Sequence, residues 1–132
     1  METPLTQSRI RVLIVDDHPL VRTGIRSIAS SKDLYEVVGE AGDGQTAVQL
    51  VHELRPDVVL MDITLPRMSG IQATQQIKAE FPEVAIVGLS VHNSQEMVQA
   101  MVEAGISVYL TKEAASDDLF HAIDAAVEST HH

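Results

Sequence analysis

A set of polar residues in this chain follows directly after short apolar runs, where side chains can act together on a ligand. Asp16 and Asp17 follow one run, and Asp62 follows another. Later runs end in a hydroxyl and in a hydroxyl–ammonium pair, at Ser90 and at Thr111-Lys112. If the runs are parallel strands, their carboxyl ends meet at one edge of a sheet, so these groups converge there.

Three carboxylates in contact repel one another and raise one another's pKa unless a cation lies among them. Mg²⁺ is suited to such a place because it binds oxygen ligands and keeps several of its waters. The Lys112 ammonium can pair with one of the carboxylates. A carboxylate with an unshared oxygen can attack phosphorus, and Mg²⁺, Lys112 and Ser90 would then stabilise the transferring phosphoryl group.

Each residue also has a simpler structural interpretation. Asp16 and Asp17 precede Pro19 and could cap the first helix and complement its dipole. Asp62 could be a turn residue, while Ser90 or Lys112 alone could be solvated surface. Independent structural roles do not explain why these residue types end successive strands, so the sequence favours a shared site.

Composition narrows the class of protein. The chain has 132 residues, 45% of them hydrophobic and 3% aromatic, which predicts one domain with an aliphatic core. It contains no cysteine, which excludes disulfides and thiolate metal sites and is compatible with the cytoplasm. The net charge is −10 and the basic residues are scattered, so we expect no nucleic-acid binding by this segment alone. No apolar run approaches the roughly 20 residues of a membrane span.

Five short runs rich in Val, Ile and Leu alternate with five stretches of helical periodicity, which predicts parallel strands and covering helices. The predicted strands are Ile10–Val15, Glu36–Glu40, Val58–Met61, Val84–Leu89 and Ser107–Leu110. The helices are marked by apolar positions at Val21, Ile25 and Ile28; Ala47, Leu50, Val51 and Leu54; Ile71, Thr74, Ile77 and Phe81; Met97, Met101 and Ala104; Leu119, Ile123, Ala126 and Val127. Pro19 suits a first helical position, Gly105 a helix end and Ser116 a helix start.

The second and fifth runs carry polar residues and read as sheet edges, while the other three are continuously apolar. With right-handed crossovers this allows the strand order 2-1-3-4-5. We therefore predict an α/β protein with a three-layer α/β/α, flavodoxin-like, doubly wound (βα)5 fold. The expected domain covers residues 10–129, after a loose lead-in over 1–9. Residues 130–132 would be a tail, in which His131 and His132 look like the remnant of a purification tag.

Several motifs together resemble a bacterial response regulator receiver domain. They are Val12–Pro19 (VLIVDDHP), Asp62–Gly70 (DITLPRMSG), Leu89-Ser90, Ala104-Gly105 and Tyr109–Lys112 (YLTK). The segments His18–Arg22 and Ser90–Asn93 are similar to the NarL/FixJ branch of that family in particular. Glu113 is a departure, since many receivers have proline after the lysine.

The resemblance implies a role for each candidate residue. Asp62 would be the phosphoacceptor and a direct Mg²⁺ ligand, together with Asp17, while Asp16 would act mainly through bound water. The backbone carbonyl of Thr64 would be a further ligand. Ser90 and Lys112 would contact the phosphoryl oxygens, and Tyr109 would be the aromatic switch residue. The simpler interpretation of Tyr109 is an edge-strand residue half covered by the fifth helix.

The resemblance also implies partners. A sensor histidine kinase would donate the phosphoryl group, and the phosphorylated form would form a homodimer. DNA would be bound only through a C-terminal helix-turn-helix in a longer protein, although a stand-alone receiver acting through protein contacts is an alternative. We expect no enzyme activity beyond the chain's own phosphorylation and autodephosphorylation.

Two competing functions rest on the same fold or nucleophile. A phosphatase of the haloacid-dehalogenase type also uses an Asp nucleophile and Mg²⁺, but it needs a second acid at the position of Thr64. A flavin carrier needs a Ser/Thr-rich loop after the first strand, where this chain has the anionic pair Asp16-Asp17. The sequence therefore disfavours both.

Overall fold

The computed structural model describes residues 9–65, 68–90 and 95–130. Residues 1–8 of the predicted lead-in (1–9), the motif positions 66–67 and 91–93, and residues 131–132 of the predicted tail (130–132) lie outside the described residues. Thr130 does not belong to a tail, because it is the last residue of the C-terminal helix. Strands and helices alternate along the chain as β1 (Ile10–Val15), α1 (Pro19–Ala29), β2 (Tyr35–Ala41), α2 (Gly44–Leu54), β3 (Val58–Asp62), α3 (Gly70–Glu80), β4 (Ala85–Ser90), α4 (Gln95–Ala104), β5 (Val108–Thr111) and α5 (Ala115–Thr130).

All strand pairs are parallel and the order is β2-β1-β3-β4-β5, which confirms the predicted doubly wound topology. β3 and β4 are buried along their whole length, as are the last four residues of β1. A continuously apolar strand with helices on both faces produces this pattern. The predicted central position of these three strands is therefore confirmed.

The two faces of the sheet pack into separate aliphatic cores. One face lies against α1 and α5, through residues such as Ile25, Leu119 and Ile123. The other lies against α2, α3 and α4, through residues such as Val51, Ile77 and Met101. The helical positions predicted from the periodicity lie in or against these two cores, apart from Thr74 and Ala104, and Phe81 follows α3 instead of belonging to it. Among the described residues, no helix has both the length and the apolar character needed to cross a membrane.

Several predicted boundaries differ from the structure by one residue. β4 begins at Ala85 and not at Val84, because the Val84 amide turns back to bond the Phe81 carbonyl. β4 and β5 both run one residue further than predicted, because Ser90 pairs with Thr111 at the end of the ladder. β2 also gains one residue at each end and β3 includes Asp62.

Helix ends follow the expected signals in two cases and depart from them in a third. Pro19 occupies the first turn of α1, and Gly105 ends α4 with a φ of +109°, a conformation that glycine adopts readily. Ser116 is not the start of α5. The chain already turns at Lys112 in a 3₁₀ turn (Lys112–Ala114), because the Thr111 hydroxyl accepts the Ala114 amide at 3.2 Å.

Candidate phosphoacceptor and metal site

The acidic turn after β1 places two carboxylates at the carboxyl edge of the sheet. Asp16 is fully buried, and its Oδ1 accepts the backbone amide of His18 at 2.9 Å. The side chain of Asp17 is 34% exposed and lies 3.0 Å from His18 Nδ1. The N-cap of α1 is His18, which makes no side-chain capping bond, and the first turn holds no acid. The interpretation of Asp16 and Asp17 as helix caps is therefore wrong.

Asp62 ends β3 and is 3% exposed. Its Oδ1 accepts the Thr64 backbone amide at 3.0 Å, so the residue does shape the turn that follows the strand. Its other oxygen, Oδ2, lies 3.2 Å from the Lys112 ammonium. Oδ1 thus has the turn contact that the simpler interpretation expected, while Oδ2 faces the lysine of the candidate site, and the role of Asp62 as phosphoacceptor stays a prediction.

Lys112 bridges the acid that follows β1 and the acid that ends β3. Its Nζ lies 2.6 Å from Asp16 Oδ2 and 3.2 Å from Asp62 Oδ2, and its side chain is 14% exposed. The 3₁₀ turn after β5, held by Thr111, directs the lysine back over the sheet edge. Glu113, the departure from the usual proline, does not prevent this reach, and the peptide bonds of the described residues are trans.

The charges in the site change the proton affinity of its groups. Burial raises the pKa of Asp62, and the charge of Asp16 adds to this effect, while the Thr64 amide and Lys112 oppose it only in part. Burial alone would lower the pKa of Lys112, but its contacts with Asp16 and Asp62 outweigh burial and raise it. Lys112 therefore stays cationic, while the negative charge of Asp62 is only partly balanced by its neighbours.

The donor set fits a hard divalent cation. Oxygens of Asp16, Asp17 and Asp62, with a ring nitrogen of His18, all lie within 4.8 Å of one another. Asp16 Oδ2 is buried, and its ionic partner is the Lys112 ammonium at 2.6 Å. The Lys112 ammonium contacts two of these three carboxylates, so a Mg²⁺ ion would supply the missing positive charge.

The remaining predicted residues lie on the same rim or behind it. Ser90 is buried at the end of β4, level with Thr111, and its Oγ lies 3.9 Å from Met97 Sδ of α4. Tyr109 is partly buried on β5 and packs on the core beneath α4, and not under α5 as its simpler interpretation expected. The Thr64 amide is directed at Asp62, and the role of its carbonyl stays a prediction.

Sequence reasoning missed one contact of this site. Arg22 Nη1 donates to the Asp16 backbone carbonyl at 2.6 Å, from the second turn of α1. The segment His18–Arg22 entered the sequence argument only as part of a motif. A signal was present, since Arg22 follows His18 by four residues and so lies on the same face of the helix.

Comparisons with known proteins agree with this geometry. The family model described as response regulator receiver domain matches residues 12–124. The transcriptional regulatory protein YdfI of Bacillus subtilis (strain 168) is 43% identical over 117 residues, covering 89% of this chain and 54% of YdfI. DegU of Brevibacillus brevis is 35% identical over 128 residues, covering 97% of this chain and 54% of DegU. The chain thus spans about half the length of these curated relatives.

Solved structures give the same match in three dimensions. A LuxR-family two-component response regulator from Aurantimonas sp. SI85-9A1 is 38% identical with a TM-score of 0.87, and the match covers 92% of this chain and 87% of that one. The non-phosphorylated receiver domain of the stress response regulator RcsB from Escherichia coli is 29% identical with a TM-score of 0.84, covering 92% and 95%.

Proposed function

The chain belongs to the response regulator receiver domain family, and from that premise we propose that it is a signalling switch in which Asp62 accepts a phosphoryl group from the phosphohistidine of a sensor histidine kinase. The observation that supports this most directly is the place of Asp62. It is buried at the carboxyl end of a central strand, with one oxygen held by Thr64 and the other facing Lys112.

Asp16, Asp17, Asp62 and the Thr64 carbonyl would hold Mg²⁺. When bound, the ion supplies positive charge to the equatorial oxygens of the phosphoryl group. A carboxylate oxygen of Asp62 forms the new O–P bond while the P–N bond of the donor breaks, and the electron pair of that bond stays on the imidazole nitrogen. Lys112 then neutralises negative charge that develops on the transferred group, and the Ser90 hydroxyl donates a hydrogen bond to it.

The same residues suit a lasting modification better than rapid turnover. A phosphatase that uses an Asp nucleophile needs an acid two residues further on, and that position holds Thr64, which is exposed and whose amide supports Asp62. The phosphoryl group would therefore persist on Asp62 for long enough to change the population of two conformations. Ser90 and Tyr109 would carry that change toward the surface formed by α4, β5 and α5, and a few kcal/mol of differential interaction suffices.

The output would lie in a longer protein. The relatives that the chain matches over about half of their length are named transcriptional regulatory proteins. In that context the domain would control a C-terminal DNA-binding helix-turn-helix in the cytoplasm, through a phosphorylation-dependent homodimer. A stand-alone receiver that acts through protein contacts is the alternative, and it would use the same site.

Intact-mass measurement after incubation with Mg²⁺ and acetyl phosphate tests the central claim. We expect one added phosphoryl group, lost in Asp62→Asn and when Mg²⁺ is chelated. Asp57→Asn is the matched control, because Asp57 lies just before β3, at the opposite edge of the sheet, where it accepts the Arg11 amide. Phosphorylation that persists in Asp62→Asn, or that Asp57→Asn also abolishes, would contradict the proposal.

Size-exclusion chromatography with and without beryllofluoride tests the output. Beryllofluoride with Mg²⁺ stands in for the phosphoryl group on the aspartate, so we expect the elution volume to shift toward a dimer. The Asp62→Asn variant should not respond. An unchanged elution volume of the parent chain, under conditions in which its Asp62 becomes phosphorylated, would argue against dimerisation as the output.

A further inference from the structure

Arg22 connects the acidic turn to the edge strand β2. Its Nη1 donates to the Asp16 carbonyl at 2.6 Å, and its Nε donates to Glu40 Oε1 at 3.2 Å. Glu40 is held a second time by Arg26, one turn further along α1. The Arg22 side chain is 21% exposed, so its guanidinium is partly shielded from water, and its hydrogen bonds are stronger there than at the surface.

An irregularity in β2 is what turns Glu40 toward α1. The pairing of β1 with β2 runs from Val12 opposite Val37 directly to Leu13 opposite Gly39, which leaves Val38 as an extra residue. Because side chains alternate along a strand, an extra residue reverses the facing of everything after it.

The packing on either side of the extra residue agrees with this reversal. Val37 packs with the core on the α1 side, whereas a Cβ on Gly39 would meet Leu54 and Leu50 of α2. Glu40 therefore faces the two arginines of α1, where regular alternation would have turned it away.

The Asp16 backbone is consequently fixed at both of its polar groups by β2. Its amide donates to the Ala41 carbonyl at 3.0 Å, and its carbonyl accepts from Arg22, which Glu40 anchors. That carbonyl belongs to the peptide group that joins Asp16 to Asp17. Its orientation sets the direction in which the more exposed Asp17 side chain leaves the chain.

We propose that Arg22 is a positioning residue for the metal site, which holds the Asp16–Asp17 peptide so that both carboxylates point at one Mg²⁺ ion. The proposal rests on the proposed function only in taking Mg²⁺ as the ion. It goes beyond the acids themselves, and it names Glu40 and the irregularity at Val38 as the features that hold the arginine.

The positioning role and simple charge repulsion predict opposite changes in Mg²⁺ affinity when Arg22 is replaced, so the direction of the change decides between them. Arg22 is a cation near the place of a second cation, so removing its charge alone would tighten Mg²⁺ binding. Removing a residue that orients metal ligands weakens binding instead, by about 10- to 100-fold where it has been measured. Arg26 is the matched control, since it carries the same charge on the same helix and binds the same Glu40, whereas the Asp16 carbonyl accepts its hydrogen bond from Arg22.

The experiment measures Mg²⁺ affinity by isothermal titration calorimetry in Arg22→Met, Arg22→Lys and Arg26→Met. Methionine keeps most of the side-chain stem and removes the donors. We expect Arg22→Met to weaken Mg²⁺ binding about tenfold, Arg26→Met to leave it unchanged or slightly tighter, and Arg22→Lys to recover part of the loss. Amide chemical shifts of residues 16–18 in the metal-free protein should move in Arg22→Met and not in Arg26→Met, and far-ultraviolet circular dichroism checks that each variant is folded.

The outcomes separate this proposal from the proposed function. Equal or tighter Mg²⁺ binding in Arg22→Met would overturn the positioning role while leaving Asp62 as phosphoacceptor. A chain that binds Mg²⁺ with the expected ranking but takes no phosphoryl group would retain the positioning role and overturn the proposed function. Equal losses of Mg²⁺ affinity in Arg22→Met and Arg26→Met would overturn the positioning role, because Arg22 would then act only as a structural contact of α1. A parent chain that binds no Mg²⁺ would overturn both the positioning role and the proposed function.

Discussion

Replacing Lys112 by methionine should destabilise the metal-free protein, and Mg²⁺ should relieve that destabilisation. The lysine ammonium lies 2.6 Å from Asp16 Oδ2 and 3.2 Å from Asp62 Oδ2, between two buried carboxylates. Methionine fills most of the volume of the lysine stem without its charge. The variant therefore leaves the acids of β1 and β3 facing one another with no ammonium between them.

The magnitude follows from the geometry. At an effective dielectric constant of about 20, charges at these distances attract by roughly 5–6 kcal/mol per contact before desolvation is subtracted. Removing one partner of a buried ion pair costs about 3–5 kcal/mol. Asp62 can limit the loss by taking up a proton, since burial already raises its pKa. We therefore expect the free energy of unfolding of the metal-free variant to fall by about 2–4 kcal/mol at neutral pH.

Magnesium should narrow the difference in stability between the two proteins. In the parent chain Mg²⁺ must displace the ammonium from Asp16 Oδ2, whereas in the variant that oxygen is available. Mg²⁺ should therefore bind the variant more tightly, and a ligand at 100 times its Kd stabilises a folded protein by about 2.7 kcal/mol. At one fixed concentration of Mg²⁺ the gain in stability should be larger for Lys112→Met than for the parent.

Urea unfolding followed by far-ultraviolet circular dichroism, with and without Mg²⁺, measures both effects. Lys78→Met is the matched control. Lys78 is also half-buried, but its ammonium donates to the backbone carbonyls of Pro82 and Val84, each at 2.8 Å, and to no acid of the site. Its loss should lower stability equally with and without the metal. A Lys112→Met protein as stable as the parent without metal, or one that gains no more from Mg²⁺ than the parent, would refute the reasoning.

Three further predictions follow from the same contacts. The pKa of Asp62 is raised in the folded protein, so the folded state is favoured while Asp62 is protonated and loses stability as the pH rises above the ordinary value of 3.8. Asp62→Asn removes this ionisation, so without metal the variant should become progressively more stable than the parent toward neutral pH. Urea unfolding of both proteins across pH measures the difference. Gly70→Ala places a Cβ 2.1 Å from the Asp62 carbonyl oxygen, so it should lower the free energy of unfolding by about 1–3 kcal/mol or more, measured by thermal unfolding. Gly24→Ala is the control, because its Cβ would have no atom within 4 Å, and it should stabilise α1 by about 0.5–1 kcal/mol. Thr111→Val removes the cap of the 3₁₀ turn and should cost about 1 kcal/mol in the same measurement, with slower phosphorylation because Lys112 loses its support.

The strand order and the place of the site could be predicted because they depend on local signals. An apolar run of four to six residues is long enough to identify a buried strand, and a parallel sheet brings the residues that follow such runs to one edge. Asp16 and Asp62 come together for that reason, and Lys112 reaches them from β5 with the help of the 3₁₀ turn that Thr111 holds. The approach of Ser90 to the same edge follows from the pairing of β4 with β5.

What the sequence did not predict depends on contacts between distant segments. The end of β4 could not be placed at Ser90 from composition, since only its pairing with Thr111 extends the ladder. The predicted start of α5 at Ser116 was wrong because the chain begins to turn earlier. The Thr111 hydroxyl caps the 3₁₀ turn that leads into the helix, although Ser116 is the residue type more often found as a helix cap. The extra residue at Val38 could not be predicted because the sequence of a polar edge strand does not specify its register strongly. A shift by one residue there moves no charged side chain into the core.

The charge balance of the metal-free site indicates why such a domain can be a switch. Lys112 is shared between Asp16 and Asp62, at 2.6 Å and 3.2 Å, and so it cannot also satisfy a phosphoryl group without leaving one of them. A phosphorylated Asp62 would carry about 1.5–2 negative charges on its phosphoryl oxygens, where the free carboxylate carries one, and these charges lie further out than the oxygen that the ammonium now contacts. The lysine must then follow the new charge, and Asp16 needs another cation in its place. Under the proposed function, metal binding and phosphorylation would for that reason be coupled through one side chain, each favouring the arrangement that the other requires.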